Sequence, residues 1–207
     1  MTELDNKNRK KVILKYLSME KQNKFYLSIG GVGLATCILL MVPLIAMQFT
    51  DEVNWSVADF MLMGALLFGT GTLMVFTLRL SDNLVFKAAS ILVVGSFFLM
   101  IWANLAVGLI GSGPNAGNLL YIVVLGVAAV GLYLSRFTAG GLERTMFATA
   151  IALIVLAAVA LLSGMQHYPG SSVIEIIGVN LFFATPLTIS GFLYRFVALQ
   201  QHVTRQS

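Results

Sequence analysis

Six continuous apolar runs alternate with short polar connections along this 207-residue chain. The runs are Phe25–Phe49, Val57–Leu78, Ala88–Ile110, Asn118–Ser135, Thr145–Gln166 and Ile176–Val197, the fourth being the shortest. A helix that crosses a bilayer needs about 20 predominantly apolar residues. The strands of a membrane barrel would alternate polar and apolar positions, and these runs do not. The pattern therefore predicts an all-α fold, a six-helix transmembrane bundle. The connections Thr50–Ser56, Arg79–Lys87, Gly111–Gly117, Arg136–Arg144 and His167–Glu175 leave no room for a soluble domain. They make consecutive helices antiparallel neighbours. Three regions follow: a basic N-terminal segment over 1–24, a six-helix membrane domain over 25–198 and a tail over 199–207.

Composition agrees with the pattern. Hydrophobic residues make up 58% of the chain and charged residues 11%, against about 25% charged in a soluble domain. Charge adds an orientation. Lys7, Arg9, Lys10, Lys11, Lys15, Lys21 and Lys24 precede the first run, Arg79 and Lys87 lie in the second connection, Arg136 and Arg144 in the fourth, and Arg195 and Arg205 near the end. All 13 Lys and Arg thus fall on the N-terminal side. The opposite connections hold Asp51, Glu52 and Glu175. The positive-inside rule then places both termini in the cytoplasm. Trp55 suits the outer interface, while Trp102 lies deeper. The net charge of +4 belongs to these flanks and implies no nucleic-acid partner. No cleavable leader is expected, because the polar stretch before the first run is long and no small-residue cleavage site follows that run.

Val12, Ile13, Tyr16, Leu17 and Glu20 stand in helical spacing among the N-terminal bases. Such a segment can lie on the inner leaflet as an amphipathic helix, each base gaining about 1 kcal/mol near anionic lipid. The plainer reading is a solvated basic flank. Small residues stripe several runs: Gly30, Gly31 and Gly33; Gly64, Gly69 and Gly71; Gly126 and Gly131; Ala148 and Ala152. They let helix backbones approach closely where lipid offers no hydrophobic drive between helices. The second and third runs with their basic connection resemble the fourth and fifth with theirs, a weak internal repeat. Cys37 is the single cysteine and reads as a buried small apolar residue.

Ionisable residues inside a membrane are costly and often functional, and this chain has few. Asp59 stands three residues after Ser56, the spacing of an N-terminal capping pair, with a cation or proton site as the alternative. Asn104 lies between Trp102 and Gly108, where an interhelical hydrogen bond would act as glue worth about 1 kcal/mol. Asn118 and Asn180 open the fourth and sixth runs, where capping is the first explanation. Asp59, Asn104, Asn118, Glu175 and Asn180 together form a candidate polar cluster at one end of the bundle, suited to a hard cation or polar solute. Pro186, between Thr185 and Thr188, is a candidate hinge, and Pro43 kinks the first run in the same way. His167 and His202 fall on opposite sides, so no haem or metal ligand pair forms and no cofactor is implied. No zinc-protease, nucleophile-elbow or phosphate-loop motif occurs, so the chain is not read as an enzyme.

The run Ile101–Ser112, with Trp102, Asn104, Gly108 and Gly111, followed by Asn115 and by Asn118-Leu119-Leu120-Tyr121, resembles an uncharacterised family of small polytopic bacterial inner-membrane proteins. Trp55–Phe60 and Met146–Ala150 are similar to it as well, and the resemblance covers roughly residues 53–162. In that family an acidic pair and then Asn-Pro-Ala-Asn follow the third helix. Here Gly113 and Pro114 stand where the acids would be, and Gly117 precedes Asn118. The resemblance implies a bacterial inner-membrane setting and supplies no activity. The expected role is that of a non-enzymatic accessory or scaffolding subunit with a membrane-protein partner or a second copy. The competing expectation is a small transporter or channel using the polar cluster. A weaker third is a lipid-reading stress sensor based on the N-terminal bases.

Overall fold

The computed structural model describes residues 3–113 and 115–206, and the side chains of 3–7, 17–18 and 204–206 lie outside what is described. The expectations that concern Pro114 and the side chains of Lys7, Leu17 and Arg205 therefore fall outside the described residues. Six α-helices account for most of the rest: α1 (Glu3–Ala46), α2 (Val57–Thr77), α3 (Leu84–Ala106), α4 (Leu120–Ser135), α5 (Ala139–Leu162) and α6 (Val173–Gln206). Two single turns of 3-10 helix, Ala116–Leu119 and Met165–His167, precede α4 and follow α5. Six of these segments are long and apolar enough to cross a membrane. The chain is a multi-pass integral membrane protein.

Helix ends follow local chemistry. Asn83 caps α3, its Oδ1 accepting from the backbone N–H of Val85 and Phe86 at 2.8 and 3.1 Å. Thr138 caps α5 through Gly141 N–H. These caps start α3 and α5 earlier than hydropathy alone places them, at Leu84 and Ala139 rather than Ala88 and Thr145. The third run also overshoots at its far end. Ala106–Ile110 is apolar, but Gly108 takes φ +81° and the helix stops at Ala106. The first run undershoots: α1 is one helix of 44 residues that includes the basic segment without a break.

The contacts divide the chain into two compact units, Met1–Val75 and Phe76–Ser207. In the first, α1 and α2 run antiparallel and meet at glycines. A Cβ on Gly71 would lie 2.6 Å from Val32 Cγ1, one on Gly64 3.3 Å from Leu40 Cδ1, and one on Gly33 3.8 Å from Phe68. This pair buries little. α2 has no buried residue, and Cys37, expected to be buried, lies exposed on α1.

The second unit holds the core. α5 packs along α6, α4 packs on α5 and α3 packs on α6, giving the spatial order α4–α5–α6–α3. Met146, Leu153 and Ala160 of α5 and Ile176 of α6 are fully buried. Glycine again sets the closest approaches, since Gly131 faces Thr145 and Gly191 faces Phe147. Buried hydroxyls return their hydrogen to the carbonyl four residues back: Ser90 to Phe86, Thr149 to Thr145 and Ser190 to Pro186, at 2.7–3.0 Å. Ser90 also pairs with Tyr194 across α3 and α6 at 2.9 Å. α6 continues through Pro186. Thr185 and Thr188 bond the carbonyls of Leu181 and Ala184. The carbonyl that a proline at 186 leaves without its helical partner is that of Phe182.

Candidate functional site

The polar residues singled out in the sequence have separate fates. Asp59 belongs to the first unit and caps α2. Its Oδ2 accepts from Ser56 N–H and Ser56 Oγ–H, both at 2.7 Å, and its own N–H donates back to Ser56 Oγ at 3.3 Å. This reciprocal pair satisfies the helix start locally and matches the capping expectation. Glu175 is exposed in the first turn of α6, and its N–H donates to Ser172 Oγ at 3.1 Å.

Asn118 and Asn180 are not helix caps. Asn118 sits buried in the 3-10 turn before α4 and faces backwards along the chain. Its Oδ1 accepts from the N–H groups of Leu109 and Ile110 at 2.8 and 2.9 Å, and its Nδ2 donates to Gly113 O at 3.1 Å. Asn115 completes the knot: Nδ2 donates to Ile110 O at 2.6 Å, and Oδ1 accepts from Gly117 N–H at 2.9 Å. Two amides thus tie residues 107–113 to residues 115–119 and press Leu109 and Ile110 into the core. Gly108 is required at this point. At φ +81° any Cβ would be strained, and it would sit 2.6 Å from Asn118 Nδ2. The loop then docks on the α5–α6 connection, where Ser112 donates both its N–H and its hydroxyl to Pro169 O at 2.8 and 3.1 Å.

Asn180 lies two turns inside α6, because that helix starts at Val173 and not at Ile176. It is fully buried. Its Nδ2 donates to Ile176 O at 2.8 Å and its Oδ1 accepts from Tyr121 O–H at 3.4 Å, tying α4 to α6. Asn104 reaches toward the same loop, its Nδ2 donating to Asn118 O at 3.2 Å. That contact fixes the amide's orientation, since a flip would set oxygen against oxygen. Asn104 Oδ1 is left buried with no hydrogen-bond partner among the described residues.

A cavity of about 810 Å³ opens between α3 and α4 under this loop, bordered by Met100, Ile101, Asn104, Leu105, Leu119 and Ile122. Among the described residues no charged side chain lines it. The site could take an apolar body, and the leftover acceptor asks for one hydrogen-bond donor. Among the described residues no group of three His, Cys, Asp or Glu side chains gathers for a metal. The structure therefore brings Asn104 and Asn118 into contact, links Asn180 to α4 through Tyr121, and leaves Glu175 at the surface. Sequence reasoning missed Asn115 as a structural partner of Asn118. The signal was there, in a cluster of glycine and asparagine between two apolar runs. No protein-family model, curated protein or solved structure matches the chain.

Proposed function

We propose that this chain is a non-enzymatic accessory or scaffolding subunit of the bacterial inner membrane, with both termini in the cytoplasm. The setting rests on the resemblance carried by Trp102, Asn104, Gly108 and Asn118, and the orientation on the one-sided distribution of Lys and Arg. One observation supports the role above others. The second unit packs a full core, while α2 is apolar over most of its length beyond Asp59 and buries no residue. Gly30, Gly31 and Gly69 have nothing within 4 Å of where a Cβ would stand. Small residues on an apolar helix are the means by which membrane helices approach each other closely. The α1–α2 pair carries such faces, and a partner helix is what they suit. Purification of the whole protein in mild detergent, with mass spectrometry of what co-elutes, tests the reading. A membrane protein in fixed ratio, or a defined homo-oligomer, is the expected result. A homogeneous monomer would sink it.

The cavity below Asn115 and Asn118 favours a second reading, a small transporter or channel, because Asn104 Oδ1 beside it has no partner among the described residues. Solute flux into liposomes that disappears in Asn104→Ala is what that reading requires.

A further inference from the structure

We infer that the N-terminal half of α1 is a docking helix for an acidic helical segment of a partner protein, a proposal that rests on the accessory-subunit reading. The first observation is continuity. α1 runs unbroken from Glu3 to Ala46. Its apolar part, residues 25–46, already measures about 33 Å, which matches a hydrocarbon core of about 30 Å. The preceding turns are therefore outside the hydrocarbon. Val12 lies 13 residues before Phe25, about 20 Å farther along the axis and still about 15 Å out at a 40° tilt. Headgroups extend about 5–8 Å beyond the hydrocarbon, so on an upright helix Val12 stands about 12 Å past them, more than the Debye length of about 8 Å at physiological salt, and lipid charge is largely screened there. A helix that bent at the surface could lay its bases on the headgroups. An unbroken one cannot bring Arg9, Lys10 and Lys11 down to them.

The second observation is what this projecting helix displays. Val12, Tyr16 and Met19 follow the 4-and-3 spacing that puts side chains on one face. They are 60%, 71% and 43% exposed. Arg9 stands three residues before Val12, and Lys15 three after it and four before Met19, with Lys11 one turn before Lys15 on the same edge, so bases border the stripe on both sides. An apolar stripe edged by charge is the surface by which one helix receives another, the edge charges choosing the partner. Residues 1–24 hold seven Lys and Arg against Glu3, Asp5 and Glu20. One of those acids is already engaged, since Glu20 pairs with Lys24 at 2.7 Å. A second copy would bring its own Arg9 and Lys15 to the same seam, base against base. An amphipathic helix with acidic edges complements it.

The test uses the full-length protein in cells, with Tyr16 replaced by the photo-crosslinking residue benzoylphenylalanine. Illumination is expected to give one discrete adduct whose crosslinked peptide lies in an acidic helical segment of another protein. Reversing the edge charges in Lys11→Glu/Lys15→Glu should lower its yield about tenfold, two exposed charge pairs each exchanged for repulsion. Lys11→Arg/Lys15→Arg should keep it. An adduct of twice the protein's own mass would replace the partner with a second copy, and adducts with lipid alone would lay the helix on the bilayer. Either overturns the proposal, as does an adduct indifferent to charge reversal. Co-purification run in parallel separates the two claims. A stoichiometric partner that never crosslinks at residue 16 ends the docking-helix proposal and leaves the accessory reading standing. Absence of any partner ends both.

Discussion

Asn118 does more for this fold than any apolar residue of similar size could. It satisfies two backbone N–H groups and one carbonyl of a loop whose apolar residues are buried. Removing it leaves all three without that partner in a place water reaches poorly. Each such group costs about 1–3 kcal/mol, so Asn118→Ala is expected to destabilise by about 3–5 kcal/mol, read as a lowered thermal midpoint in detergent. Asn104→Ala should behave differently. It deletes one hydrogen bond to Asn118 O but also removes an Oδ1 that has no partner among the described residues, and the two effects oppose each other. A change within about 1 kcal/mol is expected. A large loss there would mean that Oδ1 has a partner in the folded protein, and would point to the cavity. Gly108→Ala joins the severe class, because strain at φ +81° adds to the clash with the Asn118 amide.

Between elements the deciding contacts are small residues against β-branched or aromatic ones. Gly131 of α4 lies so close to α5 that a Cβ would stand 2.5 Å from Thr145 Cγ2. Thr145 is buried and its hydroxyl is held by Gly141 O at 3.0 Å, so it has little freedom to turn away. Gly131→Ala should therefore push the two helices apart and cost about 1–3 kcal/mol. Gly126 sits on the same helix with nothing within 4 Å of its added Cβ, and Gly126→Ala should be neutral or gain up to about 1 kcal/mol. Paired thermal melts in one detergent decide the matter, and equal shifts for both variants would refute the contact argument. Both glycines looked alike in the sequence. The stripe was legible as a stripe, but which of its members meets a neighbour depends on helix rotation, and hydropathy does not encode rotation in a helix that is apolar on every side. Helix ends were legible only where the polar signal stood at the boundary. Ser56 and Asp59 announced the start of α2. Asn118 imitated a cap while serving the loop before it, because asparagine suits both tasks equally well.

At the scale of the whole molecule, the number of spans was readable because each apolar run is continuous and each connection short. The division into two units was not. Among the described residues every member of the buried core lies at or beyond Phe86, and the hydropathy of residues 1–75 gives no hint of that. Hydropathy reports what lipid tolerates. It is silent on which helices bury one another, and van der Waals contact between small residues rather than apolarity selects those partners. A truncation tests whether the core is as self-sufficient as its membership implies. A fragment of residues 76–207 loses two membrane crossings, so an even number remains and the start of α3 keeps its side. None of the core side chains is removed. The fragment is expected to insert, to keep its helical content and to melt within about 4 °C of the full chain, the shift that roughly 1 kcal/mol produces in a domain of this size. Under the accessory reading it should also lose the co-purifying partner, since the unburied α2 helix, the open glycines Gly30, Gly31 and Gly69 and the basic helix all leave with residues 1–75. Retention of the partner by the fragment would move the interface onto the second unit. A collapse in stability would show that α1 and α2 hold up the core from outside it.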